Sequence, residues 1–277
     1  MAKVLILASN MGLWAEELQG PWDVLTEAGH DLQLATFKGK TPLPLAFSMN
    51  PASIDRKLGT PIVPQHVYER SKELLESGAW DNPLLLGNIQ SPAGPLTGIA
   101  NMDPWDAIVI VGGQGASVDL SGNHKVHQLL VDAWQNNKTI GTLCYGVGAL
   151  AWARQPDDYK KSIVYGKTIV AHPKEWDYDM NIFYKLYNET EDNPSPDFQT
   201  PGFMYPLRAI MEDAVGYGVG TVISPPETTR DHPCTHYDAP FVTGLSVESS
   251  QAFGQHVAQV LAGNTSPTLA SPAATVA

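Results

Sequence analysis

Three short apolar runs set the strongest limit on what this chain can fold into: KVLILAS (3–9), WDAIVIVGGQGA (105–116) and TIGTLC (139–144). Each has a mostly apolar centre and ends on small or polar residues. That pattern suits strands buried on both faces, as in a parallel sheet, rather than half-exposed strands that alternate. Parallel neighbours need a long crossover, usually a helix. AEELQGPWDVLTEAG (15–29) carries a helical pattern closed by Gly29, and HKVHQLLVDAWQNNK (124–138) has apolar residues at 126, 129, 130, 133 and 134. DLQLATF (31–37) alternates and reads as a strand, and GVGALAWAR (146–154) reads as the helix after TIGTLC. The expectation is an α/β domain with a parallel sheet sandwiched by helices.

The remaining segments extend that unit. Residues 38–104 are rich in Pro and Gly and read as an elaborated connection with one helix at VYERSKELLES (67–77). IVYGKTIVA (163–171) looks like a hairpin or strand pair around Gly166, and 176–202 is a polar insertion. FMYPLRAIMEDAV (203–215) looks helical with Pro206 in its first turn. Residues 240–263 give a strand, a turn and a C-terminal helix. A single domain over 1–263 is expected, with insertions at 38–104 and 176–202 and a disordered tail at 264–277.

Composition narrows the function classes. A formal charge of −12 and no Lys/Arg cluster argue against a nucleic-acid partner. No apolar stretch is long enough to span a membrane. The run in MAKVLILASN is broken by Ser9 and Asn10 and is too short for a signal peptide. Two cysteines allow at most one disulfide, so a cytoplasmic protein of a reducing compartment is expected. The first strand is not followed by GxGxxG, so no dinucleotide fingerprint is present, and no cofactor is expected. His232, Cys234 and His236 offer a weak metal-ligand pattern; no metal is expected.

Cys144 is the candidate nucleophile. Gly141 precedes it, and Gly146 and Gly148 follow. A reactive side chain on a tight strand-to-helix turn needs small neighbours, because backbones approach closely there. A helix N-terminus would also depress the thiol pKa. The opposing reading is an inert buried thiol, which is what free cysteines usually are.

The segments VIVGGQGA, TLCYGVGALAWA and WAEELQGPWDVLTEAGH together resemble the ThiJ/PfpI superfamily, whose class I glutamine-amidotransferase-like domain is flavodoxin-like. PASID (51–55) adds similarity to the larger chaperone and glyoxalase III-type branch. The resemblance implies that Cys144 is the nucleophile and that Glu17, four residues before Pro21, lies against its sulfur. It implies that the backbone N–H groups of Gly113 and Tyr145 form an oxyanion hole, and that His172 approaches the cysteine. A carboxyl touching a thiolate cannot comfortably stay ionised, so one of the pair holds a proton. Glu16 reads as its solvated neighbour. His172 would need a partner to fix its tautomer, and Asp177 and Asp179 are near in sequence.

The chain departs from that branch at Tyr145, where histidine usually follows the cysteine. A phenol is a poor base at neutral pH, though it can donate a hydrogen bond. The isonitrile hydratase branch also lacks that histidine. The glutaminases of this fold place a Glu two residues after the histidine, whereas His172-Pro173-Lys174 does not. Trp176, Tyr178, Phe183, Tyr184, Tyr187 and Phe198 of the second insertion either wall a substrate pocket or form a packed excursion or dimer contact. The expected function is a cofactor-independent cysteine hydrolase, hydratase or lyase. Its substrate would be a small electrophile: an α-oxoaldehyde, an isonitrile, or an activated amide or ester. The alternative is a redox sensor or holdase chaperone using an oxidisable Cys144. A homodimer is implied by the resemblance.

Overall fold

The apolar runs become the centre of one sheet. In the computed structural model, which describes residues 1–55, 59–89, 102–177, 185–195, 203 and 205–269, the strands are as follows. The first is β1 (Lys3–Leu7), followed by β2 (Asp31–Thr36), β3 (Leu84–Leu85), β4 (Ala107–Ile110) and β5 (Thr139–Leu143). Then come β6 (Arg154–Gln155), β7 (Asp158–Ser162), β8 (Thr168–Val170), β9 (Thr221–Ile223), β10 (Thr235–Asp238) and β11 (Phe241–Gly244). The helices are α1 (Ala15–Glu27), α2 (Gln65–Glu76), α3 (Ala116–Asp119), α4 (His124–Gln135), α5 (Ala149–Trp152), α6 (Leu207–Val215) and α7 (Ser250–Leu261).

Seven strands form the main sheet in the order β10-β11-β5-β4-β1-β2-β3. All neighbours are parallel except β10, which runs antiparallel to β11 on the edge. Val4–Leu7, Ala107–Ile110 and Ile140–Leu143 are fully buried, which accounts for their mostly apolar character. The central order β2-β1-β4-β5-β11 is the flavodoxin-like one. The chain steps from β1 to one side and then crosses back to the other, so the strand order reverses between β1 and β4. Ligands of open α/β sheets gather beyond the carboxyl ends of the strands at such a reversal.

Several elements differ from the sequence expectation. The segment after β5 is a 3-10 turn over Cys144–Gly148 followed by the one-turn helix α5, rather than a helix over 146–154. The 163–171 segment does not pair with itself: Ile163 follows β7, which pairs with β6, while β8 pairs in parallel with β9. Long-range pairing overrode the local hairpin because Gly166, at φ 78°, turns the chain toward Val215 and the start of β9. The long connection contributes β3 to the sheet edge as well as α2. Part of the expected tail is tied down, since the Pro267 carbonyl accepts the Tyr237 N–H and the Ser266 carbonyl meets His256 Nε2. Residues 270–277 lie outside the described residues.

Helices α1 and α7 pack together through two glycines. A Cβ on Gly254 would come within 2.8 Å of Pro21 Cα, and one on Gly20 within 3.0 Å of the Gln251 N and Ser250 C backbone atoms. Backbone cannot retreat as a flexible side chain can, so the helices would have to part. Gly254→Ala is expected to cost about 1–3 kcal/mol by this overpacking. The check is a lowered urea midpoint at unchanged m-value.

Candidate active site

The carboxyl ends of β1, β4 and β5 each deliver one part of a site. After β5 the chain enters Cys144 at φ 55°, in the left-handed region that costs a non-glycine residue about 1–2 kcal/mol. The turn is held by close packing. A Cβ on Gly146 would meet the Ile110 carbonyl at 2.7 Å, and one on Gly148 would enter the Phe203 ring. After β4, a Cβ on Gly112 would meet Cys144 Cβ at 2.6 Å and would collide with the Glu17 carboxylate. The glycine gap therefore allows the cysteine and the glutamate to meet. Gly113, at φ 90°, faces the Leu13–Trp14 backbone just as closely.

After β1, helix α1 begins at Ala15 with no side-chain cap of its own. Ser48, in the long connection, supplies one: its Oγ accepts the Ala15 N–H at 3.1 Å while donating to the Leu45 carbonyl. Glu17 in this first turn is 1% exposed. Pro21 offers no N–H to the Glu17 carbonyl four residues back, so the helix is loosened at the acid.

These parts converge on one sulfur. Cys144 is 5% exposed, with the Glu17 carboxyl beside it across Gly112 and the N–H groups of Gly113 and Tyr145 near enough to act on its thiol. Burial pushes the Glu17 carboxyl up to about 8, with Glu248 and Glu16 adding to the shift, so it is protonated at neutral pH. Burial and a charged Glu17 push the Cys144 thiol up, whereas the two main-chain N–H groups pull it down. Once Glu17 holds the proton its charge no longer opposes the sulfur, and the two groups titrate as a pair. The sequence expectation of a thiol acidified by a helix N-terminus is thereby corrected. The turn here is short, burial and Glu17 oppose ionisation, and the main-chain N–H groups of Gly113 and Tyr145 favour it.

Tyr145 turns its phenol away from the sulfur, and its OH donates to Asp177 Oδ1 at 2.5 Å. Asp177 Oδ2 accepts the Leu207 N–H at 2.9 Å. Burial pushes the Asp177 carboxyl up, but His172, the Tyr145 hydroxyl and the Leu207 N–H together draw it below the usual carboxylate range. His172 stands edge-on to the Tyr145 ring, centroids 5.0 Å apart. Its Nδ1 is 3.8 Å from Asp177 Oδ1, an electrostatic contact too long for a hydrogen bond. Neither ring nitrogen of this buried histidine has a hydrogen-bond partner among the described residues. Phe203 closes the back of the cluster against Tyr145 and Trp152.

The ThiJ/PfpI family-like model matches residues 8–204, which span the glutamate, the glycine turn, the cysteine and the histidine. This chain belongs to the ThiJ/PfpI-like family. Within the family it is 29% identical over 167 residues to the protein/nucleic acid deglycase HchA of two Staphylococcus aureus strains, covering 60% of this chain and 50% of the relative. The chain thus matches about half the length of these curated relatives. Among solved structures it is similar to the Rapid Encystment Protein 24 kDa of Francisella tularensis (TM-score 0.62, 18% identity, 94% of this chain and 99% of that one). It is likewise similar to glyoxalase III of Candida albicans (TM-score 0.60, 16% identity, 92% and 95%). At these identities the structures testify to a shared fold.

Other site expectations for this ThiJ/PfpI-like protein need correction or placement. Glu16 is not solvated: it is 6% exposed and pairs with Arg230. Nothing in its own helix signals that partner, which lies 214 positions away. Asp177 was legible as a partner for His172, but its stronger bond goes to Tyr145. Among the described residues, His232, Cys234 and His236 are not part of any three-ligand cluster for a metal. Burial pushes the Cys234 thiol up to about 11, and both cysteines are free. Of the insertion aromatics, Trp176 meets His172 with centroids 5.4 Å apart. The Tyr187 N–H donates to the Pro44 carbonyl. Tyr178, Phe183, Tyr184 and Phe198, with Asp179, lie outside the described residues. No described helix is long and apolar enough to cross a membrane.

The Glu17 shift carries a sign for stability. Its folded value near 8 lies above the ordinary 4.5, so the folded state keeps a proton that the unfolded chain releases. The contribution is full below about pH 4.5 and is lost as pH rises toward 8. Wild-type Tm is expected to fall from pH 5 to pH 8 by several degrees more than that of Glu17→Gln, which carries no titrating proton. Calorimetry of both proteins across this range provides the check.

Proposed function

We propose that this chain is a cofactor-independent cysteine enzyme, a hydrolase, hydratase or lyase, acting on a small uncharged electrophile of the α-oxoaldehyde kind. The observation that carries the reading is the convergence on Cys144 Sγ of a protonated carboxyl and two main-chain N–H groups. An inert structural cysteine needs none of these, and burying Glu17 beside it would then be an uncompensated cost. The names of the relatives, a deglycase and a glyoxalase III, support an enzyme.

The steps follow from the proton inventory. Cys144 reacts as the thiolate once its thiol proton has passed to solvent water, with the Gly113 and Tyr145 N–H groups holding the sulfur's charge. A C–S bond forms at the electrophilic carbon, and the carbonyl π pair moves onto oxygen. The Glu17 proton neutralises that oxygen, leaving Glu17 as a carboxylate able to take a proton back later. As charge leaves the sulfur, the same N–H groups are near enough to serve the developing anion. The second half needs a base. The Tyr145 proton is already committed to Asp177, so the phenol is poorly placed to act. His172, with both nitrogens open and Asp177 3.8 Å behind it, is the better base. The formal net charge of −12 disfavours anionic substrates. The reading includes a homodimer, which light scattering in solution would test.

A second reading keeps the same atoms without turnover. A protonated Glu17 would also donate to an oxidised Cys144 sulfinate, which suits a redox sensor or holdase. Mild peroxide adding two oxygens at Cys144, with no electrophile turned over, would favour it.

The test is a panel of α-oxoaldehydes, isonitriles and activated esters, followed by turnover and by intact mass for a sulfur adduct. Cys144→Ala is expected to lose both adduct and turnover. Glu17→Gln should lower turnover by about 10²–10⁴-fold, the usual range for a positioned acid. Turnover of any identified substrate at the wild-type rate by Cys144→Ala would end the proposal.

A further inference from the structure

Glu16 and Glu17 are consecutive carboxyl groups, and both are buried. Two such groups cannot both be charged and unpaired below the surface. The structure solves this asymmetrically: Glu17 holds a proton, whereas Glu16 holds a cation. Arg230 Nε donates to Glu16 Oε1 at 2.8 Å, and its Nη2 donates to Oε2. The same Nη2 donates to the Ile62 carbonyl at 2.9 Å. One guanidinium in the loop between β9 and β10 therefore joins the first turn of α1 to the long connection. A fork-to-fork pair of this kind also fixes orientation, which a lysine would do less well.

We infer that Arg230 is a positioning residue for the reaction: by compensating Glu16, it keeps a second negative charge off the Glu17–Cys144 pair. The inference rests on the catalytic reading of that pair. The groups facing Glu17 are Cys144 beyond β5, Glu16 on its own helix and Glu248 ahead of α7. Those facing Glu16 are Arg230, Glu248 and His66 of α2. Arg230 is the one of these that stays cationic at every working pH. Burial pushes the Glu16 carboxyl up and Arg230 pulls it back down, so without Arg230, at any pH that keeps it ionised, Glu16 would stand as an open charge next to groups that must themselves give up a proton. A unit charge several ångströms away in a partly buried medium raises such a pKa by about one unit, roughly tenfold in thiolate at fixed pH.

The experiment measures the rate of Cys144 alkylation by iodoacetamide between pH 5 and pH 10. It uses the full chain, with peptide mapping to separate Cys144 from Cys234 and calorimetry to confirm folding. Arg230→Met is expected to move the profile up by about one pH unit and to slow alkylation roughly tenfold at pH 7. Glu16→Gln/Arg230→Met should return the profile to wild type, because the charge that needed compensation is gone. Arg230→Lys should keep most of the wild-type profile. A purely structural tie predicts a lowered Tm with an unmoved profile, or a displacement that Glu16→Gln does not reverse. Either result overturns the inference while leaving the catalytic reading intact. A wild-type Cys144 that resists alkylation throughout the range overturns both together.

Discussion

The structure beyond the carboxyl ends of the strands is arranged around a carboxyl and a thiol pressed together below the surface. Each is costly alone: Glu17 is an acid out of water, and Cys144 is a thiol whose burial opposes ionisation. Together, with two main-chain N–H groups aimed at the sulfur, they form a pair in which the proton can rest on the carboxyl. Much of the local backbone serves that contact. Gly112 leaves the space, Cys144 takes a left-handed turn to enter it, and the borrowed Ser48 cap steadies the helix that brings Glu17.

Around this pair the polar groups are sorted by what neutralises them. Glu17 is neutralised by a proton and Glu16 by Arg230. Asp177 stays ionised because the Tyr145 hydroxyl and the Leu207 N–H satisfy it. Neither His172 nitrogen has a hydrogen-bond partner among the described residues, nor does Glu17 Oε2. A buried imidazole in that state is costly to the fold. The tyrosine after the cysteine belongs to this sorting. Its ring packs against His172 and Phe203, and its hydroxyl closes on Asp177, so it builds a wall where a histidine would have offered a base.

Membership of the ThiJ/PfpI-like family explains the shared turn and sheet, yet the family model alone does not choose the reaction. Tyr145, bonded to Asp177, and the long connection that caps α1 and receives Arg230 set the surroundings of that turn in this chain.

The apolar runs in the chain determined the parallel sheet, since a strand buried on both faces is apolar at most positions: KVLIL, AIVI and TIGTL appear where their composition put them. The crowding of glycines around Cys144 likewise marked the turn, because close backbone approach leaves no room for a Cβ. Folding alone decided which distant groups meet. The Glu16–Arg230 pair, the Tyr145–Asp177 bond and the pairing of β8 with β9 join residues tens to hundreds of positions apart. Local pattern records only which face a residue shares with its neighbours. An acid reads the same in sequence whether water, a guanidinium or a proton answers its charge, and three-dimensional packing makes that choice.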